Sequence, residues 1–191
     1  EINFVAACDD LQNSATQIDA LLVAGDIVEN GFQSEYDSLT DDLEKVTKVD
    51  NFVMCAGNHD IRIRDYEQST QRYFDFTNNL NPKDKAIDNI WFEYEVDGYS
   101  FLVIGSDEMR FEDAYLSDAQ LQWLEERVAA ISASGKPVFV MGHYPLRDTH
   151  GLPLTWGASL WESGTIGDQS DIVYELLNKY DNVFYLTGHL H

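Results

Sequence analysis

The chain is 191 residues long, 44% hydrophobic, and carries a formal net charge of −22 from 12 basic and 34 acidic side chains. That length supports one sizeable core rather than two, and no window of about 18 consecutive apolar residues offers a transmembrane helix. Charge of this sign repels nucleic acid and anionic membrane, which argues against a polyanion-binding role and reads most simply as a solvated acidic surface.

In chain order, residues 1–11 place Ile2, Val5, Ala6 and Cys8 at the spacing of an amphipathic helix tail. The continuous apolar run Ala20-Leu21-Leu22-Val23-Ala24, stopped by Gly25, predicts a buried strand. Tyr36, Leu39, Leu43 and Val46 recur at helical spacing over 34–48. Phe52 to Ala56 is a second strand, and its Cys55 reads as a small buried hydrophobe. Tyr66, Tyr73 and Phe74 predict a helix over about 65–79, with Asn81-Pro82 just beyond its end. Trp91–Val96 and Tyr99–Ile104 flank Asp97-Gly98, a strong signal for a hairpin with a primed turn. Ser117 is an N-cap for a long helix to Ser134, with Leu121, Leu124, Val128 and Ile131 as its apolar stripe and Gly135-Lys136-Pro137 as its stop. Val138 to Met141 is a strand, and 144–167 is a loop with Pro145, Pro153 and four glycines. Ser170 to Tyr180 is a helix and Val183 to Thr187 the last strand. This succession describes one layered α/β domain with a mixed sheet, without repeats, low-complexity segments or linkers. Cys8 and Cys55 do not make a disulfide framework, and the redox compartment and localisation stay open.

Four of these runs end in a glycine followed by a metal-binding side chain: Gly25-Asp26, Gly57-Asn58-His59-Asp60, Gly142-His143-Tyr144-Pro145 and Gly188-His189-Leu190-His191. Glycine lets the backbone turn sharply and come close to a ligand. A carboxylate can bridge two cations, neutral imidazoles bind Zn²⁺, Fe and Mn²⁺, and an amide oxygen can fill a further position. Gly-Asp and Gly-His-x-Pro are weak signals singly, Gly-Asn-His-Asp and Gly-His-x-His after apolar strands are strong, and the four together in this order point to a metal centre at a sheet edge.

The ordered set resembles the calcineurin-like metallophosphoesterase superfamily from Gly25 to His191. The resemblance implies a four-layer α/β/β/α sandwich with two divalent or trivalent ions (Mn, Fe or Zn) at the carboxyl edge of the sheets. It implies that Asp26 bridges the ions, that Asn58, His143 and His189 bind the second, and that His191 binds the first. His59 would lie beside the scissile phosphate without ligating metal, and Asp60 would orient or charge-stabilise its imidazole, although a helix-capping role fits Asp60 equally. The reaction implied is hydrolysis of a small phosphomonoester or phosphodiester by in-line attack of a metal-bound hydroxide.

The family opens with an Asp-x-His motif that this chain does not contain. Glu1-Ile2-Asn3 does not read as a native start, and His191 sits inside a motif, so both ends read as truncated, with the first metal motif expected upstream and further strands downstream. The other reading is a degenerate, non-catalytic binding module of the same fold. A third is a metallohydrolase acting on carboxyl esters or amides. Purple acid phosphatases place a tyrosine three residues after the bridging aspartate; Glu29 stands there, which argues against that subgroup. Arg62 and Arg64 fit solvated surface better than phosphate contacts. His150, Arg147, Trp156 and Trp161 share the long loop, where specificity residues often sit.

Overall fold

Strands that are apolar on both faces need cover on both faces, and that requirement organises the molecule. The computed structural model describes residues 2–63, 65–149 and 164–190. Helix α1 (Ile2–Gln12) precedes β1 (Leu21–Val23), α2 (Gln33–Leu43) and β2 (Phe52–Met54). After these come α3 (Asn58–Ile61), α4 (Tyr66–Leu80), the hairpin β3 (Phe92–Val96) and β4 (Tyr99–Val103), α5 (Asp118–Ala133), β5 (Val138–Met141), α6 (Ser170–Leu177) and β6 (Val183–Leu186). The single mixed sheet expected from element order is in fact two sheets. β1 and β2 pair in parallel, while β3-β4-β5-β6 form a second sheet, antiparallel at β3–β4 and parallel beyond.

Side-chain alternation divides each strand between two cores. In β2, Phe52, Met54 and Ala56 pack towards α1, α2 and α4 with Tyr36, Tyr73 and Phe76. Val53 and Cys55 point the other way, between the sheets, with Tyr94, Val96, Val103 and Met141. Leu102 and Ile104 of the β4 segment and Val138 and Val140 of β5 face α5 and α6, meeting Leu124, Val128 and Val173. Helix, sheet, sheet, helix is therefore the layer order, the four-layer sandwich that the motifs implied.

Local predictions hold with instructive exceptions. Asp97 and Gly98 both have positive φ (50° and 75°), as a type I′ turn requires. Ser117 caps α5 by accepting from the Gln120 amide. α2 stops at Leu43 instead of 48, yet Val46 is buried all the same, from a turn closed by its amide on Leu43. β1 is not the fully buried strand expected: Leu22 is 38% exposed, because it lines an open cleft between the sheets with Tyr99, Phe101 and Phe139.

Asn81, placed by sequence only as a helix terminator, is buried and acts as a strand partner for β2. Its side chain accepts from the Phe52 amide (2.9 Å) and the Tyr94 hydroxyl (2.9 Å), and donates to the Phe52 carbonyl (2.8 Å). Asn81→Ala removes the side-chain partner of the Phe52 amide and carbonyl, although the Tyr94 hydroxyl keeps Asn51 Oδ1 at 3.2 Å, and is expected to lower stability by about 2 kcal/mol in urea unfolding. A change below about 0.5 kcal/mol would mean the network does not matter.

Candidate metal centre

The turns that carry the candidate ligands all follow strands of the two sheets: Asp26 after β1, Asn58 after β2, His143 after β5 and His189 after β6. Register brings them together. β1 lies beside β2, and β5 beside β6 with Met141 opposite Leu186. The Gly188 amide then donates to the His143 carbonyl (3.0 Å), tying the last two turns to each other. Gly25 has φ +85°, and a Cβ there would collide with Nδ1 of His143; at Gly57 it would collide with the Asp26 carboxylate. Close approach of ligand loops is thus what these two glycines permit. Asp26 and His189 are themselves left-handed, with φ of 51° and 71°. Such conformations carry strain and concentrate at functional sites.

Asp26, His143 and His189 offer one ligand atom each within 4.8 Å of one another. The chemistry of that cluster can be read from its protons. His143 Nδ1 faces the Ala24 carbonyl at 2.7 Å. A carbonyl only accepts, so Nδ1 carries the proton, and in the neutral ring Nε2 presents its lone pair. That lone pair sits 2.9 Å from His189 Nδ1 and 3.2 Å from Asp26 Oδ2. A lone pair facing a carboxylate oxygen repels it unless a proton or a cation lies between them. Burial on its own would raise the Asp26 carboxyl; a proton held between His143 Nε2 and Oδ2, by hydrogen bond and charge, and the His59 amide lower it below its ordinary range, and a cation in the same gap would act in the same sense. The carboxylate is therefore ionised, and the cluster has the electrostatic form of a cation site.

Asn58 supplies an independent test. It is the first residue of α3, 1% exposed, and neither its amide nitrogen nor its amide oxygen has a hydrogen-bond partner among the described residues. Leaving both buried costs several kcal/mol on the order of 2–6, so something outside the protein atoms is expected to engage this side chain. A carboxylate, an amide oxygen and two imidazoles fit Mn²⁺, Fe or Zn²⁺. The residues present therefore fit the metal that the motifs implied. His191 lies outside the described residues, as do Arg64, His150, Trp156 and Trp161.

His59 and Asp60 sit next in α3 and do different things. The His59 amide donates to Asp26 Oδ1 (3.0 Å), bracing the carboxylate. Its ring Nδ1 is 2.7 Å from the Glu29 carbonyl and 2.9 Å from an Arg62 nitrogen. Arginine cannot accept and a carbonyl cannot donate, so both contacts cannot be hydrogen bonds at once. The shorter contact to Glu29 makes Nδ1 the donor, with the guanidinium resting alongside. Asp60 accepts from the amides of Gly57 (2.7 Å), Val28 (3.1 Å) and Ile27 (3.3 Å), and from the Tyr36 hydroxyl (3.4 Å). It pins the turn after β1 against α3, and burial pushes its carboxyl up to about 6 despite the amides.

Three neighbours were not found in the sequence. Arg62, expected at the solvated surface, is only 20% exposed in its side chain, drawn in by His59 and by Glu112 at 3.9 Å. Glu112 lies 3.6 Å from His189 Nε2, on a loop with no motif to mark it. The Tyr144 ring packs against both His143 and His189, at centroid distances of 5.1 and 4.9 Å. Its position inside Gly142-His143-Tyr144-Pro145 was the available signal.

The profile of the calcineurin-like phosphoesterase family matches residues 3–191, and the chain belongs to that family. Among curated relatives, a probable cyclic nucleotide phosphodiesterase of Rhodococcus erythropolis is 29% identical over 180 residues, 93% of this chain and 53% of the relative. A second so named, from Synechococcus, is 22% identical over 173 residues, 91% of this chain and 58% of the relative. The chain thus spans little more than half the length of either. A purple acid phosphatase from yellow lupin (Lupinus luteus) seeds superposes with TM-score 0.60 at 15% identity, over 100% of this chain and 33% of that one. A dimetal phosphatase from Danio rerio gives 0.61 at 14% identity, over 97% and 70%. At such identities the structural matches establish the fold, a metallophosphatase sandwich.

Proposed function

We propose that this chain carries the catalytic centre of a dinuclear-metal-dependent hydrolase of small phosphoesters. The observation that carries the reading is the convergence of Asp26, His143 and His189 within 4.8 Å, beside a buried Asn58 amide that none of the described residues satisfies. In this reading Asp26 would serve both ions, Asn58, His143 and His189 would hold one of them, and His191 would hold the other. Bound cations would supply charge neutralisation at the phosphoryl group and an activated water. The protein's own part is positioning. The Ala24 carbonyl fixes the His143 tautomer, the His59 amide fixes the Asp26 carboxylate, and Asp60 holds the two turns together. With Nδ1 bonded to Glu29, His59 keeps Nε2 for proton exchange with a phosphoryl or leaving-group oxygen. The names of the two curated relatives favour a phosphodiester of nucleotide size over a large polymer, and the net charge of −22 points the same way. Among the described residues no helix is long and apolar enough to cross a membrane.

The test is elemental analysis of the full-length protein, with hydrolysis of p-nitrophenyl phosphate, bis(p-nitrophenyl) phosphate and an acyl ester measured before and after chelation. Phosphoester turnover that disappears on chelation and returns with Mn²⁺, Fe or Zn²⁺ is expected. Turnover of the acyl ester alone would assign a different hydrolase, and bound metal with no turnover would assign a binding module.

A further inference from the structure

The mouth of the centre carries charged groups that are not themselves among the candidate metal ligands. Glu112, with a side chain 40% exposed, places one oxygen 3.6 Å from Nε2 of His189 and the other 3.9 Å from Arg62. Arg62 in turn lies 2.9 Å from the His59 ring. The carboxylate is therefore at the solvent side of the ligand cluster, between a ligand imidazole and the proton-exchanging histidine. Its loop is fastened there by the Gly164 amide, which donates to the Glu112 carbonyl at 2.7 Å. Glu29 stands on the same rim, 3.4 Å from the His59 ring. Arg62 is too far from Glu112 for a hydrogen bond and is shared with His59, so it offsets this negative charge only in part.

We propose that Glu112 sets charge selectivity at this centre, disfavouring dianionic phosphomonoesters and leaving monoanionic phosphodiesters as the preferred substrates, with Arg62 as its counter-ion. The inference rests on the phosphoesterase reading above and adds a residue and a substrate charge to it. The two ester classes differ by one unit of charge near neutral pH. Bringing that extra charge within roughly 8 Å of a half-exposed carboxylate costs about fourfold in binding once solvent and salt screening are included. The neutral amide of Glu112→Gln keeps the shape and removes the penalty. Arg62→Gln removes the offsetting cation and acts in the opposite direction.

The experiment compares metal-loaded, full-length wild type, Glu112→Gln and Arg62→Gln at pH 8, where p-nitrophenyl phosphate is dianionic. Three quantities are read: the ratio of kcat/KM for p-nitrophenyl phosphate to that for bis(p-nitrophenyl) phosphate, calorimetric affinity for inorganic phosphate, and metal content. Glu112→Gln is expected to raise the ratio about fourfold and to tighten phosphate binding by a similar factor, with the diester rate, per bound metal, within about twofold. Arg62→Gln is expected to lower the ratio. A ratio and a phosphate affinity that do not move in Glu112→Gln, at full metal content, overturn the inference and leave the phosphoesterase reading intact. If wild type hydrolyses neither ester, the function is wrong, and phosphate affinity alone decides the charge role of Glu112.

Discussion

Asp26→Asn is expected to reduce phosphoester hydrolysis by roughly 10⁴-fold or more, as loss of one member of a constellation that acts as a unit does elsewhere, and to strip most of the bound metal. Asparagine keeps the shape, and its oxygen can still accept from the His59 amide, which now reaches Asp26 Oδ1 at 3.0 Å. What changes is the other side. Oδ2 lies 3.2 Å from the His143 nitrogen that presents its lone pair. A carboxylate there needs a proton or a cation between the two groups; an amide NH2 donates straight into the lone pair and needs neither. The variant without metal is therefore expected to be at least as stable to urea as wild type without metal, while its metal affinity falls. Elemental analysis and unfolding of the same sample separate this from simple misfolding, which would lower both. Full activity at full metal content would remove Asp26 from the centre.

Why the sequence revealed so much of this centre, and not the rest, follows from the kind of signal each part leaves. β2 was readable because a strand covered on both faces must be apolar at every position, and Phe52 to Ala56 is. The candidate ligands Asp26, Asn58, His143 and His189 stood out because each follows a glycine, and close packing of neighbouring turns demands one, as at Gly25 against His143. The division into two sheets left no such mark, since Val53 between the sheets and Val138 beneath a helix are equally buried and equally apolar. α3 spans only Asn58–Ile61, too short to show a helical period, so Asp60 could be assigned neither to capping nor to the imidazole. Of its partners, the Gly57 amide caps α3 itself, but the amides of residues 27 and 28 belong to another turn. Glu112 and Arg62 meet across 50 positions of sequence through side-chain reach alone, which no local pattern encodes. Leu22 shows the converse error: an apolar run guarantees strand, but exposure depends on what the neighbouring sheet covers.

His59→Ala is expected to lower kcat by roughly 10²–10⁴-fold while leaving metal content unchanged, the range for loss of a positioned general acid. The separation is structural. The cluster of candidate ligands consists of Asp26, His143 and His189, and the His59 ring is held instead by the Glu29 carbonyl. The group that His59 does lend to the cluster is its backbone amide on Asp26, and alanine keeps it. The substrate dependence of the loss then identifies the role. If Nε2 delivers a proton to the leaving oxygen, p-nitrophenolate, which leaves without help, should suffer least, and an alkyl phosphodiester should lose the full amount. If the imidazole instead meets charge on a non-bridging oxygen, both substrates lose alike, because that charge develops whatever group departs. Loss of metal together with loss of rate would place His59 among the ligands and would require the assignment of the centre to be redrawn. The Glu29 carbonyl, 2.7 Å from Nδ1, makes the ring's orientation independent of any bound ion, so the same ratio of losses is expected with Mn²⁺ and with Zn²⁺.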